Sequence, residues 1–148
     1  MADMQYGPRR PGYYGAYGNT GDIPAKAALG EAEARGLAGR YDVSCLSRNA
    51  YSLLLCDLRN GGFISTQEFS AGYGGTLPRG VVEPPEPLPL GDNKANFIVL
   101  LEQYVRYCNN FLKVFARTDA EKVHIQSLLS TYSRLYALFK QIHDAVSL

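Results

Sequence analysis

The residues with the widest chemical repertoire are three cysteines, Cys45, Cys56 and Cys108, and two histidines, His124 and His143. A thiolate beside an imidazole can serve as nucleophile and base. Cys108 and His124 could meet across a helical hairpin, but no third group follows to orient the imidazole. The two histidines stand too far apart on one helical stretch to share a metal. No pair of cysteines has the CxxC spacing of a zinc or redox site. There is no Gly-rich phosphate loop, HExxH or GxSxG. No catalytic residue, metal ligand or cofactor site is assigned, and the chain is read as a non-enzyme. Three thiols cannot all pair within one chain, so the cysteines are expected to be small buried hydrophobes in a reducing compartment.

One stretch has oxygen donors at suggestive spacing, Asp57, Ser65 and Glu68, around a turn glycine, Gly62. Residues 57–68 resemble an EF-hand calcium loop, with Asp57 at position 1, Gly62 at 6, Ile64 at 8, Ser65 at 9 and Glu68 at 12. The pattern departs at position 3, where Arg59 stands for Asp or Asn, and at position 5, where Gly61 brings no side-chain ligand. The resemblance implies a calcium-responsive switch as an alternative function. A helix terminator, Gly61-Gly62, followed by a capping box, Ser65-Thr66-Gln67-Glu68, explains the same residues without metal. Extended back to Tyr41-Asp42-Val43-Ser44, the stretch also resembles small uncharacterised bacterial helical proteins, some near flagellar or secretion genes. That likeness covers residues 41–70 and carries no catalytic motif. It implies a bacterial accessory protein, or a structural subunit of such an assembly.

The elements that would position these residues are helical. Residues 1–21 combine Gly, Tyr and Pro without aliphatic periodicity and read as a flexible arm. Residues 22–73 read as a unit of short helices. The first, over 22–39, opens at Asp22-Ile23-Pro24. The second is capped by Ser47, with Tyr51, Leu54, Leu55 and Leu58 at helical spacing. Gly61-Gly62 ends it, and a third follows over 66–73. Residues 74–93 form a Pro-rich linker in extended geometry, read as a strap over the surface, with a PxxP spacing at Pro84 and Pro87.

Residues 94–148 carry the strongest pattern. Phe97, Leu101, Tyr104, Cys108, Phe111 and Phe115 step by four and three, as do Leu128, Tyr132, Leu135, Phe139, Ile142 and Val146. Thr118-Asp119-Ala120-Glu121 between them is a second capping box. Two antiparallel helices, about 94–117 and 119–146, should zip along this seam. The fold class is therefore all-α: a short N-terminal helical hairpin and a long antiparallel C-terminal one, joined by the Pro-rich linker.

A second apolar row runs beside the seam: Ile98, Val105 and Leu112 on the earlier helix, Leu129 and Tyr136 on the later one. A two-helix hairpin uses only one seam, so this row is the candidate surface for a protein partner or for self-association. Composition narrows the partner class. With 15 basic and 14 acidic side chains the net charge is +1, too little for a broad field toward nucleic acid or anionic lipid. No apolar run approaches the ~20 residues of a membrane span. No small-molecule substrate is evident. The expectation is a cytoplasmic protein–protein interaction module: an adaptor, an assembly subunit or a small chaperone.

Overall fold

The computed structural model describes residues 28–74, 85–114 and 118–146. The arm 1–21, the helix start at Asp22, residues 75–84 of the linker with Pro84, and the seam residue Phe115 lie outside them.

The described chain is mostly helical, with one very short strand pair. Helix α1 spans Glu31–Ala38. Gly30 precedes it, and its amide donates to Glu33 Oε1 at 2.9 Å. The expected helix over 22–39 is thus shorter in its described part. Two of its three glycines, Gly30 and Gly39, sit at the ends, which leaves Gly36 alone inside.

Helix α2, Arg48–Asn60, follows the two-residue strand β1, Leu46–Ser47. Ser47 Oγ accepts from the Ala50 amide as the cap. Tyr51, Leu54, Leu55 and Leu58 are all buried. The helix ends as its glycines dictate. Gly62 takes a φ of 82°, the Gly62 amide donates to Arg59 O, and the Phe63 amide donates to Leu58 O. These are the paired bonds of a Schellman stop, which needs a left-handed residue where glycine has no steric penalty.

The capping box then starts α3, Thr66–Gly74. Ser65 Oγ accepts from the Glu68 amide and Glu68 Oε1 accepts from the Ser65 amide, both at 3.0 Å.

The long hairpin is α4, Phe97–Val114, against α5, Asp119–Ala145. At 1.5 Å per residue they measure about 27 and 40 Å. Thr118 and Glu121 form the second capping box. The earlier helix starts at Phe97, the first residue of its apolar row, and so three residues later than the expected start near 94. Lys94–Ala95 is strand β2, antiparallel to β1 in the register Leu46 with Ala95 and Ser47 with Lys94. The Phe97 amide extends the ladder to Val43 O. Asn96 Oδ1 then accepts from the Ile98 and Val99 amides and caps α4.

One hydrophobic cluster runs from Leu29 to Ala145, and α3 joins it through the half-buried Phe69 and Ala71. Tyr51 stacks on Phe97 with ring centroids 4.4 Å apart and meets Phe139 edge-on at 6.0 Å, so α2 lies across the base of the hairpin. Helix α3 comes close to α5 at Gly72, where an added Cβ would stand 2.8 Å from Leu135 Cδ1. The buried Tyr51 hydroxyl donates to Gly72 O at 2.7 Å.

Candidate interaction surface

Most residues of the expected seam are buried. Phe97, Leu101, Tyr104, Cys108 and Phe111 are buried on α4, as are Leu128, Tyr132, Leu135, Phe139 and Ile142 on α5. Val146 is the exception, at 64% exposure. The rings of Tyr104 and Tyr132 meet at 5.1 Å, which sets the level of one helix against the other. Counted from that pair, Val146 projects past the start of α4, where no facing helix remains to cover it.

Beside the seam, each helix has two flanks, and they differ. On α4, Leu100 and Tyr107 are buried, whereas Ile98, Val105 and Leu112 are only half-buried. On α5, Thr131, Leu138 and Ala145 are buried, whereas Leu129 and Tyr136 are half-buried. The reason is where the N-terminal elements and the strap dock. Arg134 Nε donates to Glu68 Oε2 of α3 at 2.8 Å, and Gln141 exchanges hydrogen bonds with the backbone of Leu29 just before α1. On α4, the Tyr104 hydroxyl donates to Glu86 O at 3.0 Å, the Glu86 amide donates to Gln103 Oε1 at 3.5 Å, and Leu88 packs on the core. The described end of the linker is therefore a strap on the hairpin.

Helical spacing of 3.6 residues per turn places Ile98, Val105 and Leu112 on the opposite flank of α4 from Leu100 and Tyr107. It likewise places Leu129 and Tyr136 on the opposite flank of α5 from Arg134 and Gln141. Because the helices run antiparallel, both sets turn to one side of the hairpin, away from α1 and α3. Counting in opposite directions from Tyr104 and Tyr132 puts Tyr136 level with Leu100, and Leu129 level with Tyr107. The five side chains alternate along the groove as Ile98, Tyr136, Val105, Leu129, Leu112. They form one strip about 21 Å long. All five pack against the core with one side and keep the other outward.

The strip accounts for the second row read from the sequence. The buried partners Leu100, Tyr107, Thr131 and Leu138 were not singled out there. Their spacing alone does not distinguish them from the outward flank, since both satisfy the same helical period.

The residues with chemical potential are held in other ways. Asp57 accepts from the Tyr41 hydroxyl at 2.6 Å and pairs with Arg40 at 3.3 Å. Burial, and then the hydrogen bond to Asp57, push the Tyr41 hydroxyl pKa up to about 12. Glu68 spends one oxygen on its helix cap and the other on Arg134. A cation at the 57–68 loop would compete with Arg40 and Tyr41 at Asp57 and with Arg134 and the Ser65 amide at Glu68. Among the described residues, no three His, Cys, Asp or Glu side chains gather as a metal site. Cys108 is fully buried and level with Leu128, while His124 is exposed about one turn earlier on α5. Burial raises the Cys108 thiol to about 11 and keeps it protonated at neutral pH. The hairpin does not assemble the Cys108–His124 pair. Cys45 is exposed and Cys56 half-buried, so of the three cysteines only Cys108 is the buried hydrophobe expected.

No helix among the described residues is long and apolar enough to cross a membrane. No protein-family model, curated protein or solved structure matches the chain.

Proposed function

We propose that the protein is a non-enzymatic interaction module: an adaptor, assembly subunit or small chaperone that engages another protein through the Ile98–Tyr136–Val105–Leu129–Leu112 strip. The observation that supports this is the asymmetry of the hairpin. One side is sealed by α3, the segment leading into α1 and the strap, and the other side keeps a continuous apolar row half-open. An intramolecular core alone does not require that row. Completing the burial of five such side chains is worth about 4–7 kcal/mol before the entropic costs of association. That is enough to drive a reversible contact without making the lone subunit unstable.

The test, run at low micromolar protein so that contacts through the strip are dissociated, is the binding of an anilinonaphthalene dye to the full chain, read beside its variants Val105→Asp and Leu129→Asp. The unmodified chain is expected to bind dye, and either variant to lose most of it at unchanged helical circular dichroism. Equal dye binding by all three, or none by the unmodified chain, sinks this reading.

A further inference from the structure

Resting on that reading, we infer that the partner at the strip is a second copy of this chain, packed face to face about a two-fold axis that crosses the hairpin near Tyr104 and Val105. The first support is the pattern of the strip, which is its own complement. On α4, Ile98 and Leu112 lie at equal distances on either side of Val105. On α5, Leu129 and Tyr136 straddle nearly the same level, set by the Tyr104–Tyr132 contact. A two-fold at that height brings Ile98 to the partner's Leu112, Tyr136 to the partner's Leu129, and Val105 to its own mate. An isologous interface requires this reciprocity.

The second support is charge. Glu102 and Arg106 flank the strip along the outer edge of α4, two residues either side of the same level. Within one chain they pair loosely, at 3.7 Å, with 54% and 63% of their side chains exposed. The two-fold sets Glu102 against the partner's Arg106 and Arg106 against the partner's Glu102. Opposite charges meet twice along this edge of α4. At the two ends of α5 the same axis brings Lys140 level with the partner's Lys122, a like pair that weakens the contact.

Size sets the strength. A face about 21–27 Å long and two helices wide, at 8–10 Å between axes, covers about 500 Å² on each copy. That falls below the ~800 Å² per partner of a standard stable interface. The assembly is therefore a reversible dimer in which four antiparallel helices form a bundle.

Sedimentation velocity of the full chain from about 5 to 500 μM tests this, with the charge variants Glu102→Arg and Arg106→Glu beside it. Both positions are exposed, so the variants keep the fold. The unmodified chain is expected to shift from monomer to dimer across the range. Each single variant sets like charges against each other twice and should weaken the dimer about tenfold or more. The double variant, and an equimolar mixture of the two single variants, should recover it, because both restore Glu–Arg pairs across the two-fold. A chain monomeric at 500 μM overturns the inference, as does a dimer indifferent to all three variants. Dye binding separates the two failures. A monomer whose dye binding is lost in Val105→Asp has an open strip meant for a different protein. A monomer that binds no dye has the strip closed by its own chain, and the interaction reading fails with it.

Discussion

Glu68 shows how a single side chain can be worth more than its surface position implies. Its carboxylate caps α3 with one oxygen and ties α3 to α5 through Arg134 with the other. The pair is mostly shielded, with side-chain exposures of 17% and 32%. Glu31 and Arg35 meet at a shorter 2.7 Å but are 67% and 56% exposed. Solvent screening and side-chain entropy should decide between them, not distance. Glu68→Ala is expected to cost about 2 kcal/mol in urea unfolding, from a lost cap and a lost charge-assisted bond. Glu31→Ala should stay within about 0.5 kcal/mol. Equal costs for the two would show that the Glu68 network adds nothing to the exposed kind.

Among the elements, the glycines separate two uses of one residue type. Gly36 lies inside α1 with nothing within 4 Å of where a Cβ would stand. Gly36→Ala should therefore stabilise the protein by about 0.5–1 kcal/mol through helix propensity and a less flexible unfolded chain. Gly62 holds the left-handed turn between α2 and α3, and Gly62→Ala should destabilise by about 1–2 kcal/mol. Opposite signs in the two melting shifts are the readout. Most helix limits were legible because caps and stops act within a few residues: Ser47, Gly61-Gly62, Ser65 with Glu68, and Thr118 with Glu121. The start of α4 was not. Lys94 and Ala95 have no strand pattern of their own, and pair only because folding carries Leu46 and Ser47 to them.

For the whole molecule, the tyrosine-rich core sets a limit on alkaline stability. Burial raises the hydroxyl pKa of Tyr51, Tyr104 and Tyr132, with Tyr104 reaching about 12, and it raises the Cys108 thiol to about 11. Tyr41 also reaches about 12. All are neutral when protonated, and all hold their protons more tightly folded than unfolded. Their contribution is fully present below the unfolded values, near 9 for the thiol and 10 for the hydroxyls, and is lost as pH rises toward the folded ones. The melting temperature should stay level from pH 7 to about 9 and fall steeply from 10 to 12. Tyrosinate absorbance should lag behind that of the unfolded chain until the fold gives way. A melting temperature that stays level through pH 11.5, or early ionisation of every tyrosine, would contradict this burial pattern.

Composition and periodicity by themselves determined the all-helical class, the antiparallel hairpin and its seam, because a 3.6-residue period and local capping chemistry need no distant partner. They also determined that a second apolar row exists beside the seam. Tertiary structure alone decided which flank of each helix is sealed and which stays half-open, since that depends on where α3, the segment before α1 and the strap land on α4 and α5. It also decided that Asp57 Oδ2 meets Tyr41 and Arg40, and that the oxygen of Glu68 left free by its cap meets Arg134. A carboxylate's partners are set by what folding brings within about 3 Å, and Arg134 lies far down the chain from Glu68.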